Sequence, residues 1–416
     1  MQYSNFGEKF TRPNGISQLM DDLGKANQSD NPDLIMLGGG NPAIVPEAHK
    51  IFLKECKQLH LDGNIDAMLA LYDGPQGNEE FIQALADMLA SEYAWDISAD
   101  NILLTNGSQS SFFSIFNLFA GDMPDGSHKK VLFPLTPEYV GYADQGLSEN
   151  MFTAAKPEIH ILDNQQFKYG IDFDALPIDD SIGAVCVSRP TNPTGNVVTD
   201  DEITALNTLA SKQNVPLIID NAYGLPFPGA IYVDANLSWN QNMILCMSIS
   251  KMGLPGLRTG IIIANKERIK ALRQISGIMT LAPSSAGPTL LTRIVQNKEL
   301  IPLCQNFIKP YYENKAETAV RLFNEIFSGM PIYLHKLEGA FFMWLWFKDY
   351  NLRSEEIYQR LKTQDVYIIP GHNFFMGIED SWEHKHQCVR INYAKDEAVL
   401  RKGLLALRDV IQNGEK

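Results

Sequence analysis

One lysine in this chain stands where chemistry could use it. The stretch Met247-Ser248-Ile249-Ser250-Lys251-Met252-Gly253-Leu254-Pro255-Gly256-Leu257-Arg258-Thr259-Gly260 follows an apolar run at 243–246 and leads into another at 261–264. A lysine between two buried strands is solvated, paired or reactive. Ser248, Ser250 and Arg258 offer hydroxyl donors and a positive charge to a phosphate, and Lys251 offers an amine to a carbonyl. A phosphate that carries a carbonyl, such as pyridoxal phosphate held on Lys251 as a Schiff base, would use both. A strand-end lysine reaching solvent is the other reading of the stretch taken alone.

Further candidates stand at the ends of other apolar runs. The run at 102–105 empties into Asn106-Gly107-Ser108-Gln109-Ser110-Ser111 and the apolar helix predicted over 112–119. Strand, glycine-serine loop and helix start present free N–H groups and a favourable dipole end to an anion, or make a plain helix cap. Beyond the run at 131–133, Tyr139 follows Pro137 and Glu138, where an aromatic ring either covers a flat cofactor or simply packs. The run at 183–188 leads to Arg189-Pro190-Thr191-Asn192-Pro193-Thr194-Gly195, whose prolines fix the backbone and aim the Asn192 amide. The run at 216–219 ends in Asp220-Asn221-Ala222-Tyr223; a carboxylate there caps a turn or awaits a charged partner. Near the N-terminus, the run at 34–37 opens into Gly38-Gly39-Gly40-Asn41-Pro42, either a loop that lets backbone approach a ligand or an ordinary turn.

The elements that must position these residues follow from the same runs. Apolar stretches without alternation, separated by helical stretches at 79–93, 112–119 and 199–213, predict a mostly parallel sheet covered on both faces. Ligands collect outside the carboxyl ends of such strands, which is where Ser108, Tyr139, Asn192, Asp220 and Lys251 all fall. After 264 the pattern becomes α+β, with helices at 266–279, 288–297, 310–327, 354–363 and 396–411 among short strands. This predicts a large domain over 50–295 and a smaller one from the N-terminal arm, 1–49, and 296–416. At 416 residues the chain is long enough for both.

Composition narrows the classes. A net charge of −14 argues against a nucleic-acid surface, so any anionic ligand must be held by a few local cations and amides. The five cysteines have no paired spacing, and no signal peptide or membrane span is visible, so a soluble protein of the reducing cytoplasm is expected. His384, His386 and Cys388 have superficial metal-ligand spacing; read as alternate residues of one strand without a second ligand pair, they predict no metal site. His372, beside Phe374 and Phe375, reads as structural or rim-lining.

Taken together, Asn192-Pro193-Thr194-Gly195, Asp220-Asn221-Ala222-Tyr223, Ser248-Ile249-Ser250-Lys251, Arg258 and Arg390 resemble, in order and spacing, the motif series of the fold-type I, class I/II pyridoxal-phosphate aminotransferases. The resemblance covers nearly the whole chain. It extends to Phe6-Gly7-Glu8-Lys9-Phe10-Thr11-Arg12, Met36-Leu37-Gly38-Gly39-Gly40-Asn41-Pro42, Tyr72-Asp73-Gly74-Pro75-Gln76-Gly77, Pro226-Phe227-Pro228-Gly229, Trp344-Leu345-Trp346-Phe347-Lys348-Asp349 and Pro370-Gly371-His372-Asn373-Phe374-Phe375. It implies an α/β fold, with a large domain built on a mostly parallel mixed seven-stranded sheet between helices plus a smaller α+β domain.

The resemblance also implies roles. Lys251 would carry the cofactor, pyridoxal 5'-phosphate, and move the proton in catalysis, with Asp220 on the ring nitrogen and Asn192 and Tyr223 on the ring 3-oxygen. Tyr139 would stack on the ring; Ser108, Gln109, Ser248 and Arg258 would hold the phosphate. Tyr72 would reach the phosphate of a neighbouring subunit, which implies a homodimer with shared sites. Arg390 would clamp the substrate carboxylate, helped by Gly40 and Asn192. The implied reaction is ping-pong exchange of L-valine and pyruvate for 3-methyl-2-oxobutanoate and L-alanine through pyridoxamine phosphate, with Ile16, Phe10 and Tyr139 lining an apolar pocket. Transamination of other aliphatic or aromatic amino acids, β-elimination, and a cofactor-sensing regulator on the same fold are the rival readings.

Overall fold

The computed structural model describes residues 2–12, 15–29 and 31–414, apart from the side chains at 15, 16, 18, 19, 26 and 27. The unalternated apolar runs become one sheet. In spatial order its strands are Ile102–Thr105, Gly260–Ile263, Met243–Ser248, Leu217–Asp220, Ile182–Ser188, His128–Phe133 and Gly121–Asp122. Phe152–Ala154 pairs with His128–Phe133 as an eighth. The resemblance implies seven strands; the short Phe152–Ala154, three half-buried residues, brings the sheet to eight. Met243–Ser248, Leu217–Asp220, Ile182–Ser188 and His128–Phe133 run parallel, and Gly260–Ile263 is antiparallel to both neighbours.

Alternate residues of these strands enter two separate cores, which explains the missing alternation. Ile218, Ile244, Cys246 and Ile262 pack with Phe112 and Phe116 of the helix Ser108–Phe119. Leu217, Ile219, Leu245 and Ile261 join the larger cluster on the other side. The helix Asp200–Lys212 starts at the capping box that its sequence predicts: Thr199 N–H donates to Glu202 at 2.7 Å and Glu202 N–H to the Thr199 hydroxyl at 3.2 Å. Register then sets the chemistry-bearing edge. Ser188 pairs with Asp220, Asp220 with Cys246, and Gly260 lies between Ser248 and Thr105.

A second sheet holds Ile369–Pro370, Cys388–Asn392, Phe342–Phe347, Ile332–His335, Gln166–Gly170 and Glu158–Leu162 in that order. Its last two strands form a hairpin lent by chain between two strands of the first sheet. The helices Lys309–Phe327, Ser354–Lys362 and Glu397–Gly414 belong to the same C-terminal stretch. Ile35–Met36 pairs with Val366–Tyr367, and Leu37 C=O accepts from Asn392 N–H at 2.7 Å. The glycines after Leu37 are therefore laid along the strand that carries Arg390.

The turn before that strand corrects one expectation. Glu383–Gln387 is a tight 3₁₀ turn and the strand starts only at Cys388, so His384, His386 and Cys388 do not share a strand face. His384 turns into the core, 2.5 Å from the Tyr169 hydroxyl, while His386 reaches Glu355 at 2.6 Å. No helix among the described residues is long and apolar enough to cross a membrane.

Candidate active site

At the carboxyl edge of the first sheet lies a cavity of about 270 Å³. Ten of the residues singled out from sequence line it: Gly40, Ser108, Gln109, Tyr139, Asn192, Asp220, Tyr223, Ser248, Lys251 and Arg258. Ser250 lines it as well, so both serines of the lysine loop face the same space.

One end is built for an anion. Ser108 opens the helix Ser108–Phe119, whose first turn carries no acidic residue to oppose the positive end of its dipole. Gly107 sits at φ +90°, and a Cβ there would come within 2.2 Å of Arg258 Nη2, so only glycine lets the guanidinium lie against this backbone. Arg258 itself takes φ +45°, a left-handed conformation that costs a non-glycine residue on the order of 1–2 kcal/mol. The loop Pro255–Leu257 ends there, and Arg258 Nη1 donates back to Pro255 C=O at 3.4 Å. Gln109 is braced through Nε2 to Gly141 C=O at 2.9 Å.

The opposite end holds a buried carboxyl. Asp220 Oδ1 accepts from Ala222 N–H at 2.9 Å and Oδ2 from the Tyr142 hydroxyl. Burial pushes its pKa above the usual carboxylate value, against the Tyr142 bond that stabilises the anion. Behind it lies Glu138, fully buried, which accepts from Ser188 N–H at 2.8 Å and pairs with the Ser188 hydroxyl at 2.5 Å. Burial first, with repulsion from Asp220, pushes the Glu138 carboxyl up to about 8. A second carboxylate charge beside Asp220 is thereby avoided at neutral pH.

Lys251 stands between the two ends. Its Nζ donates to Gly40 C=O at 3.1 Å and lies 5.2 Å from the centre of the Tyr223 ring and 5.8 Å from that of Phe341. Burial, then repulsion from Arg390, lowers its pKa to about 8, closer to neutrality than a free lysine. Burial also holds the Tyr223 hydroxyl protonated.

Arg390 does not line the cavity; it stands one hydrogen bond behind it. Nη1 donates to Asn192 Oδ1 at 2.7 Å and Nη2 to Gly38 C=O at 2.7 Å, while the guanidinium lies 4.3 Å from the centre of the Phe342 ring. Arginine has no acceptor, so the Asn192 oxygen must face it and the amide NH₂ is left for the cavity. Arg390 Nε is buried without a hydrogen-bond partner.

Phe10, expected to line the cavity, does not, and Tyr72, expected at a neighbouring subunit's phosphate, lies away from it. Tyr72 is 85% exposed and borders a separate surface hollow with Asn64 and Arg293. The Ile16 side chain lies outside the described residues. Phe10 stacks on Phe6 at 4.6 Å and meets the edge of Phe113 at 6.3 Å. Sequence reasoning missed Glu138, Tyr142 and Ser188. A carboxylate between proline and tyrosine with no cation in the same segment was the available signal for Glu138; Tyr142, three residues past Tyr139, carried none.

Comparison with known proteins places these features in a lineage. Residues 33–407 match the family model described as aminotransferase class I and II. The valine–pyruvate aminotransferase of Escherichia coli (strain K12) is 48% identical over 412 residues, covering 99% of this chain and 98% of that protein. A crystal structure of a putative amino-acid aminotransferase from Psychrobacter arcticum 273-4 superposes with a TM-score of 0.96 at 44% identity, covering 99% of each chain. The valine–pyruvate aminotransferase of Salmonella typhimurium LT2 superposes with a TM-score of 0.90 at 46% identity, covering 96% of this chain and 99% of that one. With the family match spanning most of its length and the cavity lined by residues of the family's ordered motifs, this chain belongs to the class I and II aminotransferases.

Proposed function

We propose that this aminotransferase uses pyridoxal 5'-phosphate and exchanges the amino group of L-valine with pyruvate, releasing 3-methyl-2-oxobutanoate and L-alanine. The observation that carries the reading is the amine of Lys251, held between the anion end at Ser108 and Arg258 and the buried carboxyl of Asp220 in one cavity. That donor set fits the cofactor: the phosphate would take Ser108, Gln109, Ser248 and Arg258, the ring nitrogen Asp220, and the ring 3-oxygen the donors Asn192 and Tyr223. Bound, the cofactor would supply an electrophilic carbonyl to carry the amino group and an electron-withdrawing ring.

The chain's own groups do the rest. Tyr139 covers the ring. Asp220 would pair with the ring nitrogen, and burial keeps a proton on its neighbour Glu138 near neutral pH. Lys251, its pKa lowered toward neutrality, would move the proton from the substrate Cα to the carbon that carries the amino group on the cofactor. Arg390, with Asn192 and the Gly40 backbone, binds the substrate α-carboxylate; its bonds to Asn192 and Gly38 are the ones that ligand would share or displace. Ile16 is assigned to the apolar side-chain pocket.

The substrate assignment rests on the two valine–pyruvate relatives above. A homodimer is proposed in which Tyr72 of the partner subunit completes the phosphate cup. Leu61, Leu69, Leu71 and Tyr72 are all at least 65% exposed, apolar side chains open to such a contact. A cytoplasmic location is proposed from the five free cysteines. The domain division at 49/50 and 295/296 is likewise a proposal, with the hairpin Glu158–Leu162 to Gln166–Gly170 lent across it. The test is a donor screen on the cofactor-loaded enzyme with pyruvate as acceptor, reading alanine. Valine should be among the best donors and 2-aminobutyrate should follow, since one methylene is worth only about 1–3 kcal/mol in an apolar pocket. Ammonia release in place of alanine, or alanine formation from every donor but valine, would refute the assignment.

A further inference from the structure

Away from the cavity, three side chains with metal-ligand atoms meet. Glu355 is in the first turn of the helix Ser354–Lys362, His372 on the turn Gly371–Phe374 and His386 on the turn Glu383–Gln387. One ligand atom from each lies within 4.8 Å of the other two. Glu355 Oε1 is 2.6 Å from His386 Nδ1 and 3.5 Å from His372 Nδ1, and the two rings stack at 5.6 Å with planes 14° apart.

Hydrogen bonding leaves this cluster unfinished. His386 satisfies the carboxylate oxygen, but His372 Nδ1 is buried and has no hydrogen-bond partner. If that nitrogen carries a proton, the donor is unspent. If it does not, its lone pair faces a carboxylate oxygen, and either arrangement is costly. A cation at the centre would satisfy both nitrogens and the oxygen at once.

We propose that Glu355, His372 and His386 form a binding site for a zinc-class divalent cation, with water as the fourth ligand. Two imidazoles, one carboxylate and an open position are a donor set that zinc takes, whereas calcium and magnesium favour all-oxygen shells. Tetrahedral bonds of about 2.0–2.1 Å place ligand atoms roughly 3.3 Å apart. The 3.5 Å edge already fits this; the 2.6 Å edge must open as the ion replaces a proton. The three side chains are 36%, 31% and 22% exposed, which leaves an entry path. The ion would tie together three segments behind the substrate side of the active site. Phe374, on the same turn as His372, lies under the Arg390 guanidinium at 5.3 Å, and the strand bearing Arg390 starts directly after the His386 turn.

The test uses cofactor-loaded enzyme stripped with a chelator and titrated with Zn²⁺ or Co²⁺ in a non-coordinating buffer. One ion should be retained per chain, Co²⁺ should give the visible spectrum of a four-coordinate nitrogen/oxygen site, and the ion should raise Tm. His372→Asn and Glu355→Gln should weaken binding by about tenfold or more. Cys56→Ser, which removes the one exposed thiol, should leave binding unchanged. Should a variant melt early without metal, the Co²⁺ spectrum of the unaltered enzyme decides. The proposal is overturned by a chain that retains no ion, by a six-coordinate or thiolate-type Co²⁺ spectrum, by equal affinity in stably folded His372 and Glu355 variants, or by loss of binding in Cys56→Ser.

Discussion

The two sides of the cavity are held in different ways. The side with Ser108, Asp220, Ser248 and Lys251 stands on the ends of adjacent strands, so the register that pairs Ser188 with Asp220 and Ser248 with Gly260 fixes their spacing. The side with Arg390, Asn192 and the glycines from Gly38 to Gly40 is joined by single bonds between segments far apart in the chain, Arg390 to Asn192 and to Gly38 at 2.7 Å each. One is a rigid edge of a sheet buried on both faces. The other depends on the contact between two sheets and the N-terminal segment. Substitutions on the first side should therefore change chemistry or cofactor binding and leave substrate capture intact; substitutions on the second should do the reverse.

The largest separation is expected from Lys251→Ala. If Lys251 moves the proton as proposed, its loss should lower kcat by about 10²–10⁴-fold, while the proposed phosphate contacts still bind the cofactor. Rapid-quench kinetics with cofactor titration reads both; a kcat within tenfold of the unaltered enzyme would break the comparison at its root. Arg390→Gln comes next. Removing one partner of a buried charged contact costs about 2–5 kcal/mol, roughly 30- to several thousand-fold in kcat/KM for the amino acid. Cofactor affinity should be unchanged, and a parallel loss of it would show that the two sides are one unit. Arg258→Ala should cost about 1.5–3 kcal/mol of cofactor binding, roughly 10- to 150-fold in Kd, with kcat restored at saturating cofactor.

The smallest effect sharpens the contrast through pH. On the sheet-edge side, burial raises Glu138 from 4.5 to about 8. Its folded carboxyl keeps a proton that the unfolded chain releases, so its stabilising contribution is full below pH 4.5 and is lost as pH rises toward 8. In the second sheet, burial lowers His335 from 6.5 to about 3. Tyr169 N–H donates to its Nε2 at 3.2 Å and Nδ1 lies 2.9 Å from Lys336 C=O, an arrangement that only the neutral ring satisfies. The unfolded chain binds the proton first, so stability is present above pH 6.5 and lost as pH falls toward 3. Melting curves of cofactor-loaded enzyme should show Glu138→Gln removing part of the fall in Tm between pH 4.5 and 8, by a few degrees, and His335→Gln flattening the slope between pH 3 and 6.5. An unchanged slope between pH 4.5 and 8 in Glu138→Gln would contradict the buried proton.

What was legible in the sequence follows the same division. The strands of the first sheet announce themselves as continuous apolar runs, and the residues after them needed only the rule that ligands gather at strand ends. The second sheet was less readable. Glu158–Leu162 is mostly exposed and sits inside the first sheet's stretch of chain, so nothing local assigns it to a sheet closed by residues more than 150 positions later. Glu138 was passed over because its partner, Ser188, is fifty residues away. The spacing of His384, His386 and Cys388 misled because a 3₁₀ turn gives His384 and His386 different partners, Tyr169 and Glu355. Short-range pattern marks an edge fixed by register; it does not mark contacts made only when distant segments pack.

The most direct test of the central claim is the half-reaction on cofactor-loaded enzyme, followed by its visible absorbance after valine is added without pyruvate. The account expects the band of the lysine-bound cofactor to be lost in proportion to 3-methyl-2-oxobutanoate formed, and to return on adding pyruvate as alanine appears. A band that valine leaves unchanged, or 3-methyl-2-oxobutanoate formed equally fast by Lys251→Ala, would contradict it.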